Sequence, residues 1–276
     1  MKDVKGKVIR FLILIPITLY GLTVLYPLIW MILSGFKDNQ QLMLSPFKMP
    51  QNPSWDNYYK AWEVGVGTYF MNSVIVTVVA TFLTVLCSAL LAFVLARYKF
   101  KLHTLLFTCV LGGMMLSPEV SIISLYKLLQ ILGLYNTRWA LIIPYAAFHI
   151  PFTTFLLWSY FQSLPLEVEE SAYIDGCNSF QIFYKMILPM SKPIIATGAL
   201  LTAMGDWNEF MFGLVFIESS ALKTIPVGLM NLRAALTTNW GVLISGLTVA
   251  SLPMIIVYLI FQKQLVRGMT AGSVKG

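Results

Sequence analysis

Six apolar runs, each long enough to cross a bilayer as a helix, dominate this sequence. They are Phe11–Leu33, Tyr69–Ala96, Leu105–Leu132, Trp139–Phe161, Pro193–Ile217 and Trp240–Phe261. A helix rises 1.5 Å per residue, so about 20 apolar residues cover the roughly 30 Å hydrocarbon core. Between the runs there is little polar material from which to build a water-facing surface. Only 11% of residues are charged and 58% are hydrophobic, whereas soluble domains are about 25% charged. A lipid solvent removes the need to hide apolar side chains, provided the backbone satisfies itself within each helix. The expected fold is therefore all-α, a polytopic membrane protein with six transmembrane helices. Pro16, Pro27, Pro118, Pro144, Pro151 and Pro253 fall inside the runs. They are tolerable where neighbouring helices take up the carbonyls they free.

Orientation is read from Lys and Arg, which concentrate in cytoplasmic loops. One set of loops holds 12 of the 19 basic residues, including Lys2, Lys5, Lys7, Arg10, Arg97, Lys99, Lys101 and Lys263. That set is assigned to the cytoplasm, which places both termini inside. The net charge of +7 is thereby read as flanking charge beside membrane lipid, with no nucleic-acid partner. The first run exceeds the roughly 7–15 residues of a signal-peptide core and no small-x-small site follows it, so a retained span is expected. Cys87, Cys109 and Cys177 show no metal-ligand spacing and read as structural thiols, with no metal or cofactor expected. Outside lie two longer segments, Ser34–Thr68 and Glu218–Asn239.

The acids are distributed unevenly. The loop Ser163–Pro189, between the fourth and fifth runs, carries Glu167, Glu169, Glu170 and Asp175 out of 12 acids in the chain. Leu164-Pro165 suits a helix start, and three glutamates in a first turn favour the positive helix end. Gly176 is the expected residue just past the helix C-terminus. Asn178 or Ser179 can cap a second helix, FQIFYKMIL, which Pro189 is expected to interrupt. The product is a short helical hairpin at the cytoplasmic surface. Its small residues permit close approach and its acids suit a basic groove. An amphipathic helix lying in the interface is the competing reading, but such helices usually present Lys and Arg, not Glu.

Residues Glu170–Pro189 resemble the EAA loop of permease subunits from binding-protein-dependent ABC importers. That motif runs E-A-A, three residues, G, nine residues, I, one residue, L-P. Here it reads Glu170-Ser171-Ala172, Gly176, Met186 and Leu188-Pro189, with Ser for the second Ala and Met for Ile. The stretches NPSWDNYYKAW, YFMNSVIVT, SPEVSIISLYKLLQILGLYNT, DWNEFMFGLVFI, KTIPVGL and QLVRGMTAGSVKG are similar to the maltose-type carbohydrate branch, specifically its smaller six-span permease. The resemblance implies the ABC type I importer permease fold in a bacterial cytoplasmic (inner) membrane. It also implies a second homologous permease subunit, two cytoplasmic ATP-binding subunits, an extracytoplasmic substrate-binding protein and a sugar substrate. Glu169, Glu170, Ser171, Ala172, Asp175, Gly176, Leu188 and Pro189 would couple the chain to the ATPase. Ala271, Gly272 and Ser273 of the C-terminal segment would reach the same interface. The chain has no G-x-x-x-x-G-K-[ST], so it is not expected to be an enzyme and has no catalytic residues of its own.

Charges within the runs need a reason, because one at the bilayer centre costs roughly 2.5–3.5 kcal/mol on insertion scales. Glu119 follows Pro118 in the third run, and Asp206, Trp207, Asn208 and Glu209 cluster in the fifth. They are candidate translocation-path residues, where sugar hydroxyls exchange water for carboxylates, an amide and an aromatic face. Interhelical hydrogen bonding is the competing explanation. His149 reads as a packed helix–helix contact, and Lys127 and Arg138 as snorkelling to headgroups. Two other functions are open to such a chain. An ion-gradient-driven secondary transporter would use Glu119 or Asp206 as a proton site, but no inverted repeat is visible. A purely structural membrane protein leaves the fifth-run charges unexplained.

Overall fold

The structure, a computed structural model, describes residues 2–235 and 239–271. The described residues form helices and turns without a strand. In order these are α1 (Lys2–Ser34), α2 (Asn39–Leu44), α3 (Asp56–Ala61), α4 (Gly67–Arg97), α5 (His103–Gly113), α6 (Ile122–Ile131) and α7 (Trp139–Ser163). They continue with α8 (Glu167–Ile174), α9 (Ser179–Ile182), α10 (Leu188–Met190), α11 (Lys192–Asn208), α12 (Met211–Phe216), α13 (Ile225–Ala235) and α14 (Trp240–Ala271). Wide π turns at Trp62–Val66 and Phe183–Ile187 join α3 to α4 and α9 to α10.

The chain divides into two compact units. The first takes Met1–Gly67 and Gly228–Leu252. Its polar segment after α1 is tied down by side chains that satisfy backbone groups, as a structured loop requires. Asn57 Nδ2 donates to the carbonyls of Gly35 (3.0 Å) and Lys37 (2.7 Å), and Tyr58 Oη donates to Ile32 O at 2.9 Å. Lys37 is buried and its Nζ donates to Pro46 O at 2.6 Å. Phe36, Trp55 and Tyr58 pack ring against ring. Exposed apolar side chains line α1, among them Ile17, Leu22 and Ile29, as a lipid-facing helix would show.

The second unit, Thr68–Val227 and Pro253–Gly276, holds the acidic loop and the fifth-run charges. Its path follows from which residues meet. Asn72 and Arg138, at the starts of α4 and α7, are hydrogen-bonded. Further along, Ser88 Oγ donates to Ile150 O, and Phe93 and Phe161 share one core. Helices α4 and α7 therefore run parallel, so the chain between them must return from one end to the other. Helix α5 makes the first part of that return, with Phe107 against Trp158 and Gly113 against Pro151. Helix α11 opposes α7 as well. Ile194 joins the core at Phe161, Thr202 meets Thr153, and Glu209 meets Tyr145. Four segments thus run alternately between two ends. One end is closed by Asn136, whose φ of 56° turns it to accept from the amides of Glu218 and Ser219. The other end carries the acidic loop.

Two of the expected spans depart from a single straight helix. The third is broken. Helix α5 ends at Gly113, and the chain reaches α6 through Met114–Pro118 and a short 3₁₀ turn at Glu119–Ser121. Gly112 and Gly113 weaken the helix, and Pro118 cannot supply the amide that would carry it through. The fifth ends at Asn208, where Glu209 becomes extended (φ −66°, ψ 132°) before α12 begins. By length and hydropathy, four helical stretches qualify singly as spans: Ile13–Ser34, Asp56–Arg97, Trp139–Ser163 and Trp240–Lys263. A fifth arises from Ser179–Met190 with Lys192–Asn208, bent by 79°.

Candidate functional site

The acidic loop folds as a hairpin of α8 against α9, the π turn and α10. Helix α8 opens with Glu167, Glu169 and Glu170 in its first turn, against its positive end. It closes at Gly176, whose φ of 79° is the left-handed conformation favoured at a helix C-terminus. Asn178 then caps α9 in a full capping box. Its Oδ1 accepts from Gln181 N, and Gln181 Oε1 accepts from Asn178 N, both at 2.9 Å. Pro189 does not interrupt this second arm as expected. The π turn immediately before it opens the backbone where a proline ring would clash, so the arm runs on to Met190 and bends only at Ser191.

The hairpin is anchored to the body of the unit by a core and an ion pair. Ala172, Ile182, Phe183 and Ile187 are buried against Ala92 of α4 and Phe161 of α7. Arg97, the last residue of α4, donates from Nε to Glu169 Oε1 at 2.5 Å, with both side chains under a tenth exposed. Of the expected coupling residues, Glu169 and Ala172 thus face inward. Their contacts hold the hairpin in place, and a partner on the outer face would not meet them. Glu170, Ser171, Asp175 and Gly176 are exposed on the outer face, and Pro189 is exposed on the second arm. Beside them stand exposed apolar side chains, Leu166, Tyr173, Phe180 and Ile174, the last 87% exposed. Leu188 and Pro189 line an apolar cleft of about 320 Å³ with Phe82 and Leu86 of α4. Gly272 and Ser273 lie outside the described residues, and Ala271 is the last residue of α14.

The fifth-run charges separate into different roles. Glu209 accepts from the amides of Phe212 (2.7 Å) and Gly213 (3.2 Å), capping α12, and from Tyr145 Oη at 2.6 Å. Asn208 returns to its own helix through Met204 O. Trp207 is buried, edge-on to Phe70. Glu119 is exposed and bonded locally by Ser117. Asp206 is buried with Oδ1 3.2 Å from His149 Nε2. Asp206, Glu209, Tyr145 and His149 line a cavity of about 250 Å³ together with Gly113 and Pro118 at the break after α5. His149 of α7 packs against Gly205 of α11, and the carboxylate facing its ring belongs to that other helix. Arg138 differs from expectation. Its guanidinium turns back to Asn72 Oδ1 at 3.0 and 3.1 Å rather than reaching for headgroups.

The second unit is an alternating bundle of apolar helices with a capped surface hairpin, and comparison with known proteins gives the class of protein it belongs to. Residues 85–271 match the family of binding-protein-dependent transport system inner membrane components, and the chain belongs to that family. A protein of Bacillus subtilis named probable ABC transporter permease protein YurM is 50% identical over 258 residues, covering 94% of this chain and 86% of that one. The trehalose/maltose transport system permease protein MalG of Thermococcus litoralis is 34% identical, covering 97% of each chain. Among solved structures, a chain of a bacterial ABC transporter involved in importing the acidic polysaccharide alginate superposes with a TM-score of 0.81. It covers 93% of this chain and 96% of that one at 22% identity. The fold is thus that of ABC type I importer permeases. The chain is the membrane-embedded permease of a binding-protein-dependent importer, and ATP hydrolysis belongs to a separate subunit.

Proposed function

We propose that this chain is one of two homologous permease subunits of an importer for a sugar or oligosaccharide in a bacterial cytoplasmic membrane. It would cross that membrane six times with both termini inside. One of two ATP-binding subunits docks on the hairpin, the other on the second permease, and an extracytoplasmic binding protein delivers the substrate. The observation that carries the coupling role is the hairpin's division into two faces. One face is locked to α4 and α7 by Arg97–Glu169 and the Ala172 core. The other presents Glu170, Ser171, Asp175 and Ile174 to a partner. A rigidly anchored helix transmits a push from the partner to the spans, where a loosely tethered one would absorb it. The sugar assignment rests on relatives whose names specify diacetylchitobiose, trehalose and maltose, and arabinooligosaccharides. Ion-gradient-driven transport is not favoured, because it gives the exposed hairpin no work.

Purification of the tagged chain in mild detergent tests this reading. An ATPase and a second permease should co-elute, and the reconstituted complex with its binding protein should take up sugar only with ATP inside. A chain that elutes alone and exchanges substrate against a proton gradient contradicts it.

A further inference from the structure

We propose that this subunit contributes a sugar-binding subsite of its own, with His149 as its hydroxyl acceptor and the buried Asp206 fixing His149's state. The proposal rests on the reading of the complex as a sugar importer and names where, on this chain, the substrate is touched. Along α11, Asp206 lies 14 residues beyond Lys192, so about 21 Å of helix separates it from the bend at Ser191. That is most of the hydrocarbon thickness, and the Asp206 side chain is fully buried. Burying a carboxylate at such a depth calls for a function or a partner. Asp206 has His149 and Thr81 beside it, yet neither of its oxygens accepts a well-aligned hydrogen bond. It is therefore not explained as a saturated structural link, in contrast to Glu209, which accepts three.

Three further features fit a sugar. Asp206 Oδ1 faces Nε2 at 3.2 Å, and a small turn of the ring would let Nε2 donate to it, leaving Nδ1 as an acceptor. No described group donates to Nδ1, and the His149 side chain is 34% exposed. Second, the ring is held in position. A Cβ on Gly205 would lie 2.8 Å from His149 Cε1, so the glycine lets the imidazole rest directly on α11. Third, the walls beside His149 are aromatic. Phe148, Phe152 and Tyr145 line the same cavity, offering apolar faces for the C–H side of a pyranose while polar groups take its hydroxyls. The volume of about 250 Å³ suits one sugar ring at a time, so an oligosaccharide would pass through unit by unit.

The test uses the whole importer in proteoliposomes with its binding protein and ATP, and maltose, trehalose and maltotriose as probes. His149→Phe keeps ring and bulk but removes the acceptor, whereas His149→Gln retains one. His149→Phe should lower uptake more than tenfold, and unequally across the three sugars, while assembly of the complex is unchanged. His149→Gln should recover uptake to within threefold of the wild type. Normal uptake by His149→Phe overturns the subsite and leaves the importer reading intact. An equal loss for all sugars in both variants also overturns it, since that is the signature of a packing role. Failure of the wild-type complex to take up these sugars and also diacetylchitobiose, arabinooligosaccharides and galactooligosaccharides, for which other relatives are named, overturns the sugar-importer reading itself, and the subsite with it.

Discussion

Arg97 and Glu169 stand 72 residues apart in the chain and 2.5 Å apart in space. Removing one partner of such a pair leaves a charge with little water and no counter-charge, a change that costs about 3 kcal/mol. Arg97→Met should therefore lower the thermal midpoint of the purified chain and expose the hairpin to proteases. Adding Glu169→Gln to it should restore most of the loss, and a double variant as unstable as the single one would contradict the assignment. Gly176 makes a weaker demand. Nothing lies within 4 Å of a Cβ placed there, so Gly176→Ala meets only the left-handed backbone penalty, about 1 kcal/mol, and should fold. The EAA spacing made Glu170, Ala172 and Gly176 legible as a group. It could not show that Glu169 and Ala172 turn inward, since three glutamates in one helical turn look alike until the neighbour at Arg97 is placed. The pairing of His149 with Asp206 was illegible for the same reason, because the two belong to different helices.

At the scale of elements, apolar length revealed the spans and said little about their continuity. Pro16, Pro27, Pro144, Pro151 and Pro253 all remain inside helices, yet Pro118 marks a break. The difference lies in the neighbours, because Gly112 and Gly113 have already loosened α5 before Pro118 arrives. Pro189 shows the converse, since a π turn carries the helix past it. The second arm of the hairpin depends on its capping box at Asn178. Asn178→Ala should cost about 1 kcal/mol. Hydrogen exchange of amides in 179–190 should then quicken about fivefold while exchange in α7 is unchanged. Equal acceleration in both would show that the arm has no independent stability. Such loss would reach function through the hairpin's rigidity, not through any contact made by Asn178.

At the scale of the whole molecule, the hairpin and the polar cavity lie on the same helices. Helix α11 starts at the bend beside the hairpin and carries Asp206 into the cavity near its other end. Helix α7 runs from Tyr145 and His149 to Phe161 in the hairpin's core. On the proposed reading, a displacement of the hairpin by the ATPase would be delivered along these helices to the residues around the cavity. The most direct test replaces Ile174, which is exposed and makes no core contact, with aspartate. ATP hydrolysis and sugar uptake are then measured together in proteoliposomes containing the complete importer. Ile174→Asp should lower uptake per ATP hydrolysed at least tenfold while the chain remains folded in the membrane. Uptake per ATP equal to that of the wild type would contradict the assignment of this face as the point where ATP hydrolysis drives the permease.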